Sequence, residues 1–159
     1  MRDNIDRVEM YRVGCGFSEC ADFCLKEERP LPQHMLCITP GVVNAAFACE
    51  VFLKLLLHDA GVEIRKSHRL EDLFNRLPDN IQKELKMRTI VKYGRWENFF
   101  RQKYISQISD AFQEWRYIYE NDWSKGVSKR IEIGFLLAFR DSLKEICTKR
   151  RGGDNGTTG

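Results

Sequence analysis

Glu50 and Lys54 stand four residues apart in a run, Val42 to Leu57, that is otherwise almost wholly apolar. A glutamate one turn ahead of a lysine is a favourable helical pair. In so apolar a setting the two charges must be paired or must line a cavity. They form either an ion pair that fixes packing or one wall of a polar cleft that grips a phosphate or a base. His58 extends the same four-residue ladder, although its place beside Asp59 and Gly61 suits a helix C-terminus. His68 opens the next helical pattern, and Arg116 precedes Glu120 by one turn. An antiparallel bundle can set the Glu50/Lys54 face against the Arg116/Glu120 face and return His68 beside them. Glu50, Lys54, His68, Arg116 and Glu120 are therefore expected in one polar cluster, neutral when the imidazole is uncharged. The planar fork of Arg116 suits a phosphate.

A second constellation lies between Arg76 and Lys103, where eight cations face three acids. Lys86, Arg88, Lys92 and Arg95 are its candidates for phosphate contacts, and Tyr93, Trp96, Phe99 and Phe100 are interleaved with them. Cations neutralise phosphates and aromatic faces stack on bases. The same pattern also describes a solvated helix face whose aromatic residues point inward. The six cysteines include no CxxC pair and lie at no zinc-finger spacing from the three histidines. They read as reduced, packed thiols. Neither a GxGxxG nor a P-loop occurs, and the sequence calls for no metal and no cofactor.

The elements that must position these groups are helical. From Asn4 to Glu28, Val8, Tyr11, Cys15, Phe17 and Cys24 recur mostly at three- and four-residue spacing, with Gly14 and Gly16 either weakening the helix or admitting a close neighbour. Residues 29–40, with Pro30, Pro32 and Pro40, read as a loop. A central helix follows from Gly41 to Ala60, ended by Gly61. A short helix covers His68–Leu77 with Ser67 as its N-cap, and another runs from Asp79 or Asn80 to Val91. After a turn at Gly94, the longest helix spans Trp96–Asn121. A last one runs from Ser128 to Cys147. With no strand signal, the pattern predicts an all-α antiparallel bundle of four principal helices plus one or two short ones. It forms a single domain over residues 1–148, and residues 149–159 make a basic, then Gly/Thr-rich tail.

Three phrases resemble HEPN proteins: AFACEVFLKLLL (46–57), SHRLEDLFNRL (67–77) and AFQEWRYIYEN (111–121). Together with the order of helices, the likeness extends over roughly the whole helical domain. The resemblance implies a helical, often dimeric protein of a prokaryotic defence, toxin–antitoxin or RNA-processing system. Many such proteins are metal-independent endoribonucleases, whose signature is an arginine followed four to six residues later by a histidine. The corresponding arginine here is Arg116, with His68 and Glu120 as its catalytic companions, but no histidine occurs between Tyr117 and Trp123. Ribonuclease chemistry is therefore left open by the resemblance, whereas RNA or nucleotide binding is implied. Arg29 and His34 match the bare spacing in the proline-rich stretch and are read as coincidence.

Composition sets the remaining bounds. A chain of 159 residues, 43% apolar and 31% charged, is ordinary for one globular domain. The net charge of +3 gives too weak an overall field to attract nucleic acid without a local patch. A polar N-terminus and the charges inside the Val42–Leu57 run suggest a cytoplasmic protein without a membrane partner. Two readings follow. One is an RNA- or nucleotide-binding HEPN-like protein. The other is a non-catalytic dimeric helical scaffold that docks a partner protein encoded nearby. Homodimerisation is expected in either case, with Gly134 and Ala138 small enough for close helix approach.

Overall fold

A computed structural model describes residues 5–26, 28–64, 66–94, 104–120 and 131–153. All regular structure among them is helical: α1 (Arg7–Leu25), α2 (Leu31–Asp59), α3 (Leu70–Asn75), α4 (Asp79–Tyr93), α5 (Tyr104–Ser109), α6 (Ala111–Arg116), a 3₁₀ turn (Ile118–Glu120) and α7 (Ile133–Gly153). The expected all-α class is what the chain adopts.

Helix α2 is the axis of the fold, and α1, α3, α6 and α7 all pack on it. Its apolar residues leave no wide polar stripe, and Ala46, Cys49, Phe52, Leu53 and Leu56 are fully buried. Antiparallel to it, α1 begins under Asp6, whose carboxylate accepts from the Val8 and Glu9 amides. Arg7 then donates two bonds to Asp59 at 2.7 and 2.8 Å, tying the start of α1 to the end of α2. Where these helices cross, Gly14 matters: a Cβ there would stand 2.6 Å from the Phe52 ring. Gly16 meets nothing. Of the two glycines singled out in the sequence, one serves a close approach and the other does not.

Several boundaries differ from expectation. Residues 31–40 are helical, so α2 starts ten residues before Gly41. Proline is tolerated in a first turn, where amides lack helical partners anyway, and Pro30 and Pro32 fall there. Pro40 lies inside the helix, where it forgoes the bond to the Leu36 carbonyl and its ring crowds that carbonyl, a cost the burial of the rest of α2 must offset. The short helix starts at Leu70, and Arg69 rather than Ser67 occupies its N-cap. The expected long helix over 96–121 is broken within its described part at Asp110. Tertiary partners draw that corner away from helix: Asp110 accepts from Arg69 at 3.0 Å, and the Ser109 hydroxyl accepts from the Glu71 amide at 3.1 Å. Helix α7 continues to Gly153, through part of the presumed tail.

By length and composition α2 is long and apolar enough to cross a membrane, with a mean hydropathy of 1.7 over its best window. Half of that window is buried under neighbouring helices, and Glu50 lies in the same helix.

Candidate functional site

Glu50 sits in the middle of α2 and is only 2% exposed. Its Oε1 accepts from Lys54 Nζ at 2.7 Å and faces His68 Nδ1 at 3.0 Å. The first bond follows from the one-turn spacing on α2. The second depends on the loop after α2, which returns His68 just ahead of α3. This second contact is a hydrogen bond in the tautomer whose proton is on Nδ1. Three of the five residues expected to cluster therefore do so.

Aromatic rings extend the cluster sideways. Phe112 of α6 stacks on Phe47 of α2 with centroids 4.9 Å apart, and its ring lies 6.2 Å from the His68 ring. The Arg116 guanidinium lies 5.1 Å from the Phe112 centroid and 4.6 Å from that of Tyr117. It also donates to the Tyr117 hydroxyl at 2.8 Å. Arg116 thus reaches the Glu50 cluster through an aromatic ring and forms no ion pair with Glu50. Helix α6 ends at Arg116, which removes the helical register an Arg116–Glu120 pair would need. Glu120 is exposed on the 3₁₀ turn and has no side-chain partner among the described residues. The result is an exposed surface of His68, Phe112, Arg116, Tyr117 and Tyr119. Tyr119 is 71% exposed, and no acid among the described residues neutralises Arg116.

The basic constellation is arranged differently. Arg88 bonds Glu84 within α4 and Glu145 on α7, and Lys92 bonds Glu145 as well. The hydrogen bond from Lys92 is the main cause holding the Glu145 carboxyl below its usual range. Burial works against it, and Arg88 adds to it. Hydrogen bonding to Glu84 raises the Arg88 value, against a smaller opposing effect of burial. Lys86 lies over the Phe74 ring at 5.5 Å. Arg95, Trp96, Phe99 and Phe100 lie outside the described residues. Tyr93 points inward, against Tyr104 and Phe135. Arg88 and Lys92 are therefore engaged in the seam between α4 and α7.

One charged residue escaped the sequence reading. Arg140 is completely buried in α7, with ion pairs of 2.7 Å to both Asp22 of α1 and Asp141 and a bond to the Ser18 carbonyl. Burial opposes its charge most strongly, yet the charge of Asp141 and the bond to Asp22 together hold its pKa above the ordinary value. The signal was present in FLLAFRDSL, a cation inside an apolar run like Glu50 in its own. All six cysteines are free, Cys49 and Cys147 are buried, and Cys20 is exposed. Among the described residues no group of histidines, cysteines and acids could hold a metal ion.

Set against known proteins, the chain matches no family model, no curated protein and no solved structure.

Proposed function

We propose that this chain is a HEPN-like RNA- or nucleotide-binding protein of a prokaryotic defence or toxin–antitoxin type, and that it binds RNA through the surface around Arg116. The bundle assignment, with α1, α2, α4 and α7 as principal helices, belongs to the same proposal. The observation that carries it is the Arg116 guanidinium, exposed, unneutralised by any acid among the described residues, and stacked against Phe112 and Tyr117. Tyr119 lies against Tyr117, and His68 against Phe112. Aromatic faces and an arginine plane are what unstacked bases bind, without need of a particular sequence. Binding is favoured over cleavage because no histidine follows Arg116 at the ribonuclease spacing.

The test is fluorescence anisotropy with a labelled single-stranded RNA across a salt series, with the same RNA run on a gel for cleavage. Arg116→Ala and Tyr119→Ala are each expected to weaken binding by roughly tenfold, in line with about 1–3 kcal/mol per stacked base. The RNA should stay intact. No binding at low salt, or binding indifferent to both changes, would remove the proposal.

The scaffold reading has its own support. Phe23 near the end of α1 and Leu31, Met35 and Leu36 at the start of α2 are large, apolar and exposed. Gly134 is exposed but close to Tyr93, and Ala138 is buried, so the apolar α1–α2 end offers the larger exposed surface. A homodimer formed through the α1–α2 end would show twice the 18.7 kDa chain mass by light scattering, and Leu36→Glu would return it to monomer.

A further inference from the structure

Between the first half of α1, the middle of α2 and the loop that follows α2 lies a cavity of about 540 Å³. That is within the size range of small-molecule sites. Its walls are apolar: Ile5, Met10 and Val13 on one side, Phe47 and Val51 on the other, and Ile64 from the loop. Glu50 and Lys54 also line it, as do Asp6 and Glu9.

The carboxylate of Glu50 is only half used. Lys54 and His68 both engage Oε1, whereas Oε2 is buried and has no hydrogen-bond partner among the described residues. A buried carboxylate oxygen without a donor is rare in folded proteins and costly. Glu50 is one of the residues that line the cavity, so a donor held there would need only a small turn of the carboxylate to meet Oε2. The charges select the donor. Three carboxylates, Asp6, Glu9 and Glu50, surround the cavity against the one ammonium of Lys54. Asp6 is occupied in capping α1 and Glu9 pairs at 3.2 Å with Arg12, which offsets part of its charge, so these two supply no contacts and the acidic excess is carried mainly by Asp6 and Glu50. Such a field repels phosphates and carboxylates and favours a cation.

We infer that this cavity binds a small organic ammonium, its apolar body against the α1 and α2 walls and its N–H group directed to Glu50 Oε2. The cavity borders the RNA surface, since Glu50 bonds His68 and Phe47 stacks on Phe112, but hexylamine and RNA are titrated separately, so the failure of one proposal leaves the other standing.

Three probes of equal chain length decide the matter: hexylamine, hexanol and hexanoate, titrated near neutral pH into the full chain by calorimetry. Hexylamine, then a cation, should bind at least tenfold tighter than hexanol, and hexanoate should not bind. Glu50→Gln keeps the side chain's shape and removes its charge, and should weaken hexylamine binding at least tenfold. Because Glu50 also supports the fold, Val13→Trp serves as the second variant. It fills the cavity from α1 without touching Glu50 and should abolish hexylamine binding while the helical circular dichroism is unchanged. Hexanol binding as tightly as hexylamine would reduce the cavity to an apolar hole and overturn the inference. Measurable hexanoate binding, or hexylamine binding that survives Val13→Trp, would overturn it as well.

Discussion

Lys54 and His68 share one acceptor oxygen of Glu50, but removing them has unequal consequences. Lys54 is largely buried with Glu50, so Lys54→Met strands a buried negative charge. A loss of about 3–5 kcal/mol is expected by chemical denaturation, the usual range when one half of a buried pair is removed. His68 is half exposed, and water takes its place, so His68→Ala should cost only about 1 kcal/mol. Equal losses for both would mean that the carboxylate does not lean on Lys54. The pair itself was legible in the sequence, because two charges inside an apolar helix must find each other. The Arg116–Glu120 pair was not, because it required α6 to continue past Arg116. The thiols offer a second check at this scale. Burial, with the nearby charge of Asp59 adding to it, pushes the Cys147 thiol up to about 12, and burial pushes Cys49 up as well. Since the thiolate is the reactive form, alkylation at pH 8 mapped by mass spectrometry should label the exposed Cys20 first. Cys49 and Cys147 should react only in denaturant. Fast labelling of native Cys147 would contradict the docking of α7 on α2, where its Sγ faces the Phe52 carbonyl.

Helix α1 shows how an element's sequence can run against its own propensity. Replacing glycine by alanine in a helix interior ordinarily gains about 1 kcal/mol. At Gly14 the added Cβ would lie 2.6 Å from a fully buried Phe52 ring that has no room to move. Overpacking of this kind costs about 1–3 kcal/mol, so Gly14→Ala should lower the melting temperature. Gly16→Ala, with open space around it, should raise it. The reverse order would place the α1–α2 crossing elsewhere. The helical periodicity of α1 and α2 could be read directly, because each buries a continuous apolar face. The start of α2 could not, since three prolines carry a local signal for loop, and only Pro30 and Pro32, at the N-cap and in the first turn, are placed where a helix accepts them readily. The break at Asp110 was equally hidden, because Arg69 and Glu71, some forty positions away, supply the competing bonds.

Across the whole molecule, α7 is joined to α1 by the buried Arg140 and to α4 by ion pairs that converge on Glu145. The second seam could not be read from the sequence, which offered either a phosphate-binding face or a solvated helix face, because Glu145, the acid shared by Arg88 and Lys92, is more than fifty residues away. Its pH dependence follows from the direction of one shift. Hydrogen bonding by Lys92 first, and by Arg88 after the opposing effect of burial, holds the Glu145 carboxyl below its ordinary value in the folded chain. The unfolded chain has that ordinary value, about 4.3 for glutamate. The folded state therefore binds the proton less readily. The seam's contribution is complete above the unfolded value and is lost as pH falls through the depressed folded one. Both partners of Glu145 remain partly exposed, so solvent screening limits the effect to no more than about 1 kcal/mol. Melting temperature followed from about pH 6 to pH 3 should fall in acid. In Glu145→Gln the decline should be shallower and the starting value lower, and added salt should reduce the difference between the two proteins. An unchanged acid decline in Glu145→Gln would mean that α4 and α7 are held by their apolar contacts alone. Arg88 and Lys92 would then be free to meet phosphate, and Ala substitutions at both should weaken RNA binding as strongly as Arg116→Ala.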